Sequence, residues 1–336
     1  MGWFSRAVAA CGVVAVLAPT VLRAAPPAGQ RDPVAIKTTA GGVTFSLGAF
    51  AGVAEGTGTE TAFYYPYGKK FKLSELTWDI KDVAMAGARG SVGLGKRFRL
   101  NLEVSSALNG GSGQMVDRDW NYTDGVSAFM TPDGSNWSDE SRHPDTTLDK
   151  RIIVDQSLSA QAVQWGSLQV HGLVGFKSET LKWSARGGTF LYSTEDYGSR
   201  DFSGSFAPGR EVINYEQRFS IPYLGVAAGW VRPAFQVLAN VRFSPAVFAQ
   251  DIDNHVLRGV RFEGQFAMGT YVGVGLNATW MVAKHWSAVL GVEYQTIPQI
   301  TGNVTITGAE GSGYLGDAGG IALNTLSYTV GVGYRF

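Results

Sequence analysis

Cysteine is nearly missing from this chain: one occurs in 336 residues, Cys11, inside a segment that reads as removed on export. The mature protein therefore forms no disulfide, no thiolate metal site and no cysteine nucleophile. Net charge is missing too, with 28 basic against 28 acidic residues, so the basic excess that accompanies nucleic-acid binding is not there. Beyond the N-terminal segment there is no run of about 18 or more apolar residues, which excludes a membrane-spanning helix. No metal-ligand spacing appears, although loose acidic clusters leave calcium open.

What is present begins with an export signal. Arg6 supplies a positive start, Val8 to Val21 is largely apolar, and Ala24-Ala25 is a small-residue exit before Pro26-Pro27. "VAAC" superficially resembles a lipoprotein cleavage box, but the apolar stretch follows it instead of preceding it. The chain divides into a signal over 1–24, a lead-in over 25–41 and one large domain over 42–336.

That domain alternates with period two. In "YVGVGLNATWM", Val272, Val274, Leu276, Ala278 and Trp280 share a face, while glycine, Asn277 and Thr279 take the other. Trp286, Ala288, Leu290, Val292 and Tyr294 repeat the pattern, as do Tyr328, Val330, Val332, Tyr334 and Phe336 to the C-terminus. Apolar on one face and small or polar on the other predicts an all-β, ten-stranded antiparallel transmembrane β-barrel.

Short turns are expected near Gly95-Lys96-Arg97, Trp165-Gly166-Ser167, Arg232-Pro233 and Ala283-Lys284-His285. Long polar, glycine-rich links are expected at 54–72, 118–147, 186–214, 256–262 and 300–320. Barrels of this class keep short turns on the periplasmic side and long loops outside. Strands 3 and 7 of the ten, ending near Asp117 and Asp253, then both finish at the extracellular rim.

There, "QMVDRDW" sets Asp117 and Asp119 two residues apart, on one face of a strand. Like charges so close need a compensating group. "QDIDNHV" offers it, bringing Asp251, Asp253 and His255 to one face at the same height, with Asp251 deepest. A histidine among carboxylates is poised to take a proton. A water between an aspartate and such a histidine can attack a carbonyl. The bland reading of the same residues is a cation site or solvated loop ends.

"MVDRDW", "WSDESRHPDT" (Trp137 to Thr146), "SARGG" and "DIDNH", with lesser support from "YEQRF" and Trp78 of "ELTW", resemble the omptins in family order. These are outer-membrane proteases of Gram-negative bacteria. The resemblance implies a barrel protruding from the outer membrane, with an extracellular groove that carries Asp117, Asp119, Asp253 and His255. A water held between Asp117 and His255 would attack without a covalent intermediate. His255 would be the base, Asp253 would orient it and Asp119 would support Asp117. Cleavage beside Arg or Lys, dibasic sites included, would follow from acidic groups in the pocket. Asp251 matches one of these and Glu60 the other, with Glu55 competing. No cofactor is implied, but lipopolysaccharide is implied as an activator, held at Arg218. A second arginine of that lipid site is replaced by Thr180, and neither Lys177 nor Lys182 restores it in register.

Two other functions compete: a non-enzymatic adhesin or lipid-binding barrel on the same scaffold, and a diffusion porin. Ser141, His143 and Asp145 of "SRHPD" imitate a serine triad, but members of a triad converge from separate segments, and a loop beside proline suits a structural role. His171 and His285 read as packing residues. Lys69-Lys70, in the first outer loop, is a dibasic pair open to self-cleavage or simply a charged loop.

Overall fold

The computed structural model describes residues 42–336, apart from 66–67, 96, 112, 121, 124–125, 128–136, 194–199 and 310. The expected signal and lead-in lie outside the described residues. In chain order the strands are β1 (Val43–Tyr64), β2 (Phe71–Leu94), β3 (Phe98–Ala107), β4 (Met115–Asp119), β5 (Tyr122–Thr123) and β6 (Val126–Ser127). They continue as β7 (Asp139–His143), β8 (Asp145–Trp165), β9 (Leu168–Arg186), β10 (Thr189–Tyr192) and β11 (Phe202–Ser205). The last five are β12 (Glu211–Val231), β13 (Phe235–His255), β14 (Val260–Met281), β15 (Trp286–Gly308) and β16 (Gly311–Arg335).

Ten of them close a ring in the order β1, β2, β3, β8, β9, β12, β13, β14, β15, β16, because β1 pairs antiparallel with both β2 and β16. Closure gives each of these ten strands a neighbour on both sides, the condition for a sheet to cross lipid. At one end the sheet continues from β2 through β4, β7, β10 and β11.

The four short turns fall where the sequence places them, at 95–97, 166–167, 232–234 and 282–285. The opposite end differs from expectation. The links expected at 54–72, 256–262 and 300–320 shrink to 65–70, 256–259 and 309–310, because β1 and β2, β14, and β15 and β16 respectively run on into them. These extensions rise above the bilayer, where lipid no longer imposes apolar alternation, so polar, glycine-rich strand reads as loop. The 118–147 and 186–214 links carry β5, β6 and β7, and β10 and β11, respectively. The strand that delivers Asp117 is also interrupted: β3 stops at Ala107 and β4 resumes at Met115. Pro222, Pro245 and Pro298 sit within register shifts of β12 with β13, β13 with β14, and β15 with β16. Bulges are where a residue without an amide proton is tolerated in a sheet.

The alternating residues sort as expected. Val274, Leu276, Trp280, Trp286, Leu290, Tyr294, Tyr328, Val332 and Phe336 are exposed on the outer wall, a belt suited to acyl chains and unsuited to water. Inside the barrel, opposite charges form a buried network. Arg151 bonds Glu179 at 2.8 Å, Lys177 reaches Glu293 at 3.3 Å, and Arg242 bridges Asp155 at 3.0 Å and Glu293 at 2.8 Å. Gln295 donates to Glu179 at 2.8 Å. Above this network Trp78 stacks on Tyr215 at 5.4 Å and Trp183 on Tyr215 at 6.0 Å, all three fully buried. Side chains thus fill the barrel at this level, as a ten-stranded bore permits, which is poor geometry for a diffusion porin.

Breaking one member of the network should cost far more than replacing a pair. Glu179→Ala strands Arg151 in the interior and should destabilise the barrel by about 3–5 kcal/mol, whereas Arg151→Met with Glu179→Met should lose much less. Thermal unfolding in detergent, followed by the gel-mobility shift of folded barrels, measures both; equal losses would contradict the charge-pairing account.

Candidate active site

β4 is short, but it is held on both sides. Its register sets Asp117 opposite Leu76 of β2 and opposite Ser141 of β7. Glu60 of β1 in turn lies opposite Leu76, so Glu60, Leu76, Asp117 and Ser141 occupy one row across four strands. Ser74 donates to the Asp117 carboxylate at 3.2 Å. Asp119 lies beside Ser74 in register, and its carbonyl accepts from the Ser138 amide at 2.8 Å.

Facing this wall, β13 brings up Asp251, Asp253 and His255. Tyr215 donates to Asp251 at 3.1 Å and the Gly264 amide donates at 2.8 Å. His255 Nε2 lies 2.7 Å from Asp253 Oδ2 and its ring packs edge-on against Phe262 at 5.3 Å. Alternation along β13 predicts this shared face, and the structure gathers all six expected groups, Glu60, Asp117, Asp119, Asp251, Asp253 and His255, into one electrostatic neighbourhood.

Burial dominates their titration. It pushes Asp117 up to about 8, with Asp119 adding repulsion and His255 opposing it. Burial likewise raises Asp251 to about 7. Glu60 is raised well above the ordinary carboxylate range by burial and then by Asp253, Asp251 and Asp117. For His255 burial pulls downward, but the hydrogen bond and charge of Asp253, joined by Asp117, outweigh it and the imidazole ends above its usual value. One oxygen each of Glu60 and Asp253 is buried with no hydrogen-bond donor among the described residues. A pocket with unsatisfied carboxylate oxygens is complementary to a cation. Of the two candidates, Glu60 shares the row of Asp117 across β2, whereas Glu55 falls at a register shift lower on β1.

The "SRHPD" run is not the loop expected: Ser141 to His143 end β7, Pro144 is a bend and Asp145 opens β8. Ser141 and His143 do meet, Oγ to Nε2 at 2.9 Å, but Asp145 is exposed and His143 Nδ1 donates to the Gly187 carbonyl instead. That bond ties β7 to the "SARGG" turn. Gly188, at φ +106°, lies so close that a Cβ there would stand 2.2 Å from the Arg142 carbonyl, so the two motifs need one another sterically. His171 is near the periplasmic end of β9, and His285 donates to the Arg335 carbonyl at 2.8 Å; both are remote from the site. Lys70 is held by Asp317 at 3.6 Å and sits 4.0 Å over the Phe63 ring.

On the outer wall Arg218 is half exposed and pairs with Glu216. Thr180 is its register partner on β9. Lys177 points into the barrel, and Lys182 is paired in register with Glu216, one step along the outer face. Three contributors escape the sequence reading: Ser74, Gly264 and Arg258 of the β13–β14 turn. Tyr215 was within reach, since it opens the "YEQRF" motif.

Comparison with known proteins agrees with this architecture. The chain is 29% identical over 303 residues to the plasminogen activator of Yersinia pestis, covering 87% of this chain and 90% of that protein. It is 30% identical over 230 residues to the outer membrane protease OmpP of Escherichia coli K12, covering 67% and 68%. The crystal structure of outer membrane protease OmpT from Escherichia coli superposes with a TM-score of 0.80 at 24% identity, covering 87% of this chain and 97% of that one. The family model described as the omptin family matches residues 42–336, the whole barrel, and so this chain belongs to the omptin family of outer-membrane proteases.

Proposed function

We propose that the protein is an endopeptidase that cuts polypeptides beside arginine or lysine, by attack of a water activated between Asp117 and His255. The observation that carries this reading is the placement of Asp117 and the His255–Asp253 pair in one desolvated acidic mouth, with a carboxylate pocket beside them. His255, hydrogen-bonded to Asp253, is the general base. Asp117, raised to about 8, shares a proton with its neighbours, so the cluster titrates as a unit. Asp119 keeps Asp117 from ionising freely. In the pocket, Glu60 and Asp251 receive the basic side chain. A charged guanidinium or ammonium there relieves carboxylate repulsion and supplies donors, whereas a neutral side chain leaves the oxygens unpaired.

We extend the proposal to lipopolysaccharide as an activator. The exposed guanidinium of Arg218 supports contact with a lipid phosphate. Beside it Thr180 provides no second fork, so the dependence on lipid is expected to be weaker than two arginines would give.

The founding test is cleavage of an arginine-centred fluorogenic peptide by barrel refolded with and without lipopolysaccharide. Asp117→Ala and His255→Ala should each lower kcat/KM by about a hundred- to ten-thousand-fold; cutting that survives either change rejects the mechanism. Asp251→Asn should reduce the preference for arginine over glutamine about ten- to hundred-fold, the scale of one hydrogen bond to a charged group, with kcat less affected. An unaltered preference removes Asp251 from the pocket.

The pH profile has a definite sign. A base whose pKa lies above the ordinary imidazole value of about 6.5 works only once deprotonated, so activity should rise with pH through a limb above that value. Asp253→Asn removes the anion that favours the imidazolium and should move that limb to lower pH. A limb that stays in place would assign it to another group.

A further inference from the structure

The carboxylates of the groove are opposed by an arginine at its rim. Arg258 lies in the tight 256–259 turn, where its amide donates to the His255 carbonyl at 3.1 Å. Gly259 follows at φ +62°, a left-handed position suited to glycine, and Val260 re-enters the sheet as the register partner of His255. The turn therefore folds Arg258 back over the imidazole, with Nη1 3.4 Å from His255 Nδ1. Its charge reaches Asp119 as well as His255. The rim is consequently of mixed sign. Across the mouth β7 contributes Asp139, held by Ser138 and by the Ser193 amide, while the β13–β14 side contributes a cation.

Depth separates Arg258 from the pocket. Asp251 lies below Asp253, and Asp253 below His255, on one face of β13, with Arg258 beyond them at the top. An extended peptide alternates its side chains. When one basic residue points down toward Glu60 and Asp251, its two neighbours point up toward the rim. One neighbour passes the Asp139 side and the other passes Arg258.

We infer that Arg258 is a specificity-determining residue that reads the charge of the substrate residue next to the buried basic one, accepting an acidic or neutral side chain and repelling a second basic one. The inference rests on the site reading given above and narrows it: on the flank facing Arg258, a dibasic sequence is a poor substrate, not a preferred one.

Matched peptides carrying a single arginine, with Glu, Gln or Lys placed on one flank or the other, test this against the full-length refolded barrel. For one flank the wild type should favour Glu over Lys about five-fold in kcat/KM, the size of an exposed charge interaction. Arg258→Glu should invert that ratio and Arg258→Lys should keep it. Salt raised to about 0.5 M should shrink it, since exposed charges are screened and a purely structural effect is not. Both variants are checked for folding by the barrel mobility shift. Flank ratios that do not change in folded Arg258→Glu overturn the inference alone, provided Asp117→Ala still abolishes cutting. Absence of cutting by folded wild type, or cutting that persists in Asp117→Ala, overturns the site reading and this inference with it.

Discussion

Everything at the mouth depends on holding like charges together out of water. Six titratable groups, five of them carboxyl, share a space in which burial first, and then the neighbouring carboxylates, raise Asp117, Asp251 and Glu60. His255 and Arg258 offset part of that repulsion. The cost is carried by the closed sheet, whose ladder hydrogen bonds fix β1, β4 and β13 whatever their side chains prefer. An open sheet or a loop would relax and let the carboxylates turn into solvent. Strain of this kind at a site is stored by rigid surroundings and put to use in chemistry.

The same ring solves a second problem, that of staying shut. Below the site, the Trp78–Tyr215–Trp183 stack and the Arg151–Glu179 and Arg242–Glu293 pairs fill the bore. Opposite charges there neutralise one another at short range, whereas at the mouth acids gather with few counterparts. The barrel thus has two electrostatic regimes: a balanced interior that stabilises and an acid-rich groove beneath a rim to which Arg258 adds positive charge.

The motifs that looked decorative are the braces of this arrangement. "SRHPD" and "SARGG" interlock through His143, Gly187 and Gly188, and β7, so anchored, supports β4 from the side away from β2. Asp117 is therefore presented by a five-residue strand that would not persist unaided. Ser141 and His143 contribute as structure, since the carbonyl of Gly187 and not the exposed Asp145 completes their hydrogen bonds.

Much of this was legible in the residues. Alternation in "YVGVGLNATWM" and "SYTVGVGYRF" announces lipid-facing strands because a bilayer tolerates only apolar side chains on one face. The spacing of Asp117 with Asp119, and of Asp251, Asp253 and His255, is determined by the two-residue period of any strand. Strand ends above the membrane were not legible: at 54–72 and 300–320 both faces meet water or protein, so the alternation that marks a strand fades. Nor could the sequence show that Glu60 lies in the row of Asp117, that β3 breaks before β4, or that Arg258 folds back toward His255. Those outcomes depend on register and bulges across strands far apart in the chain, and only closure of the barrel sets them.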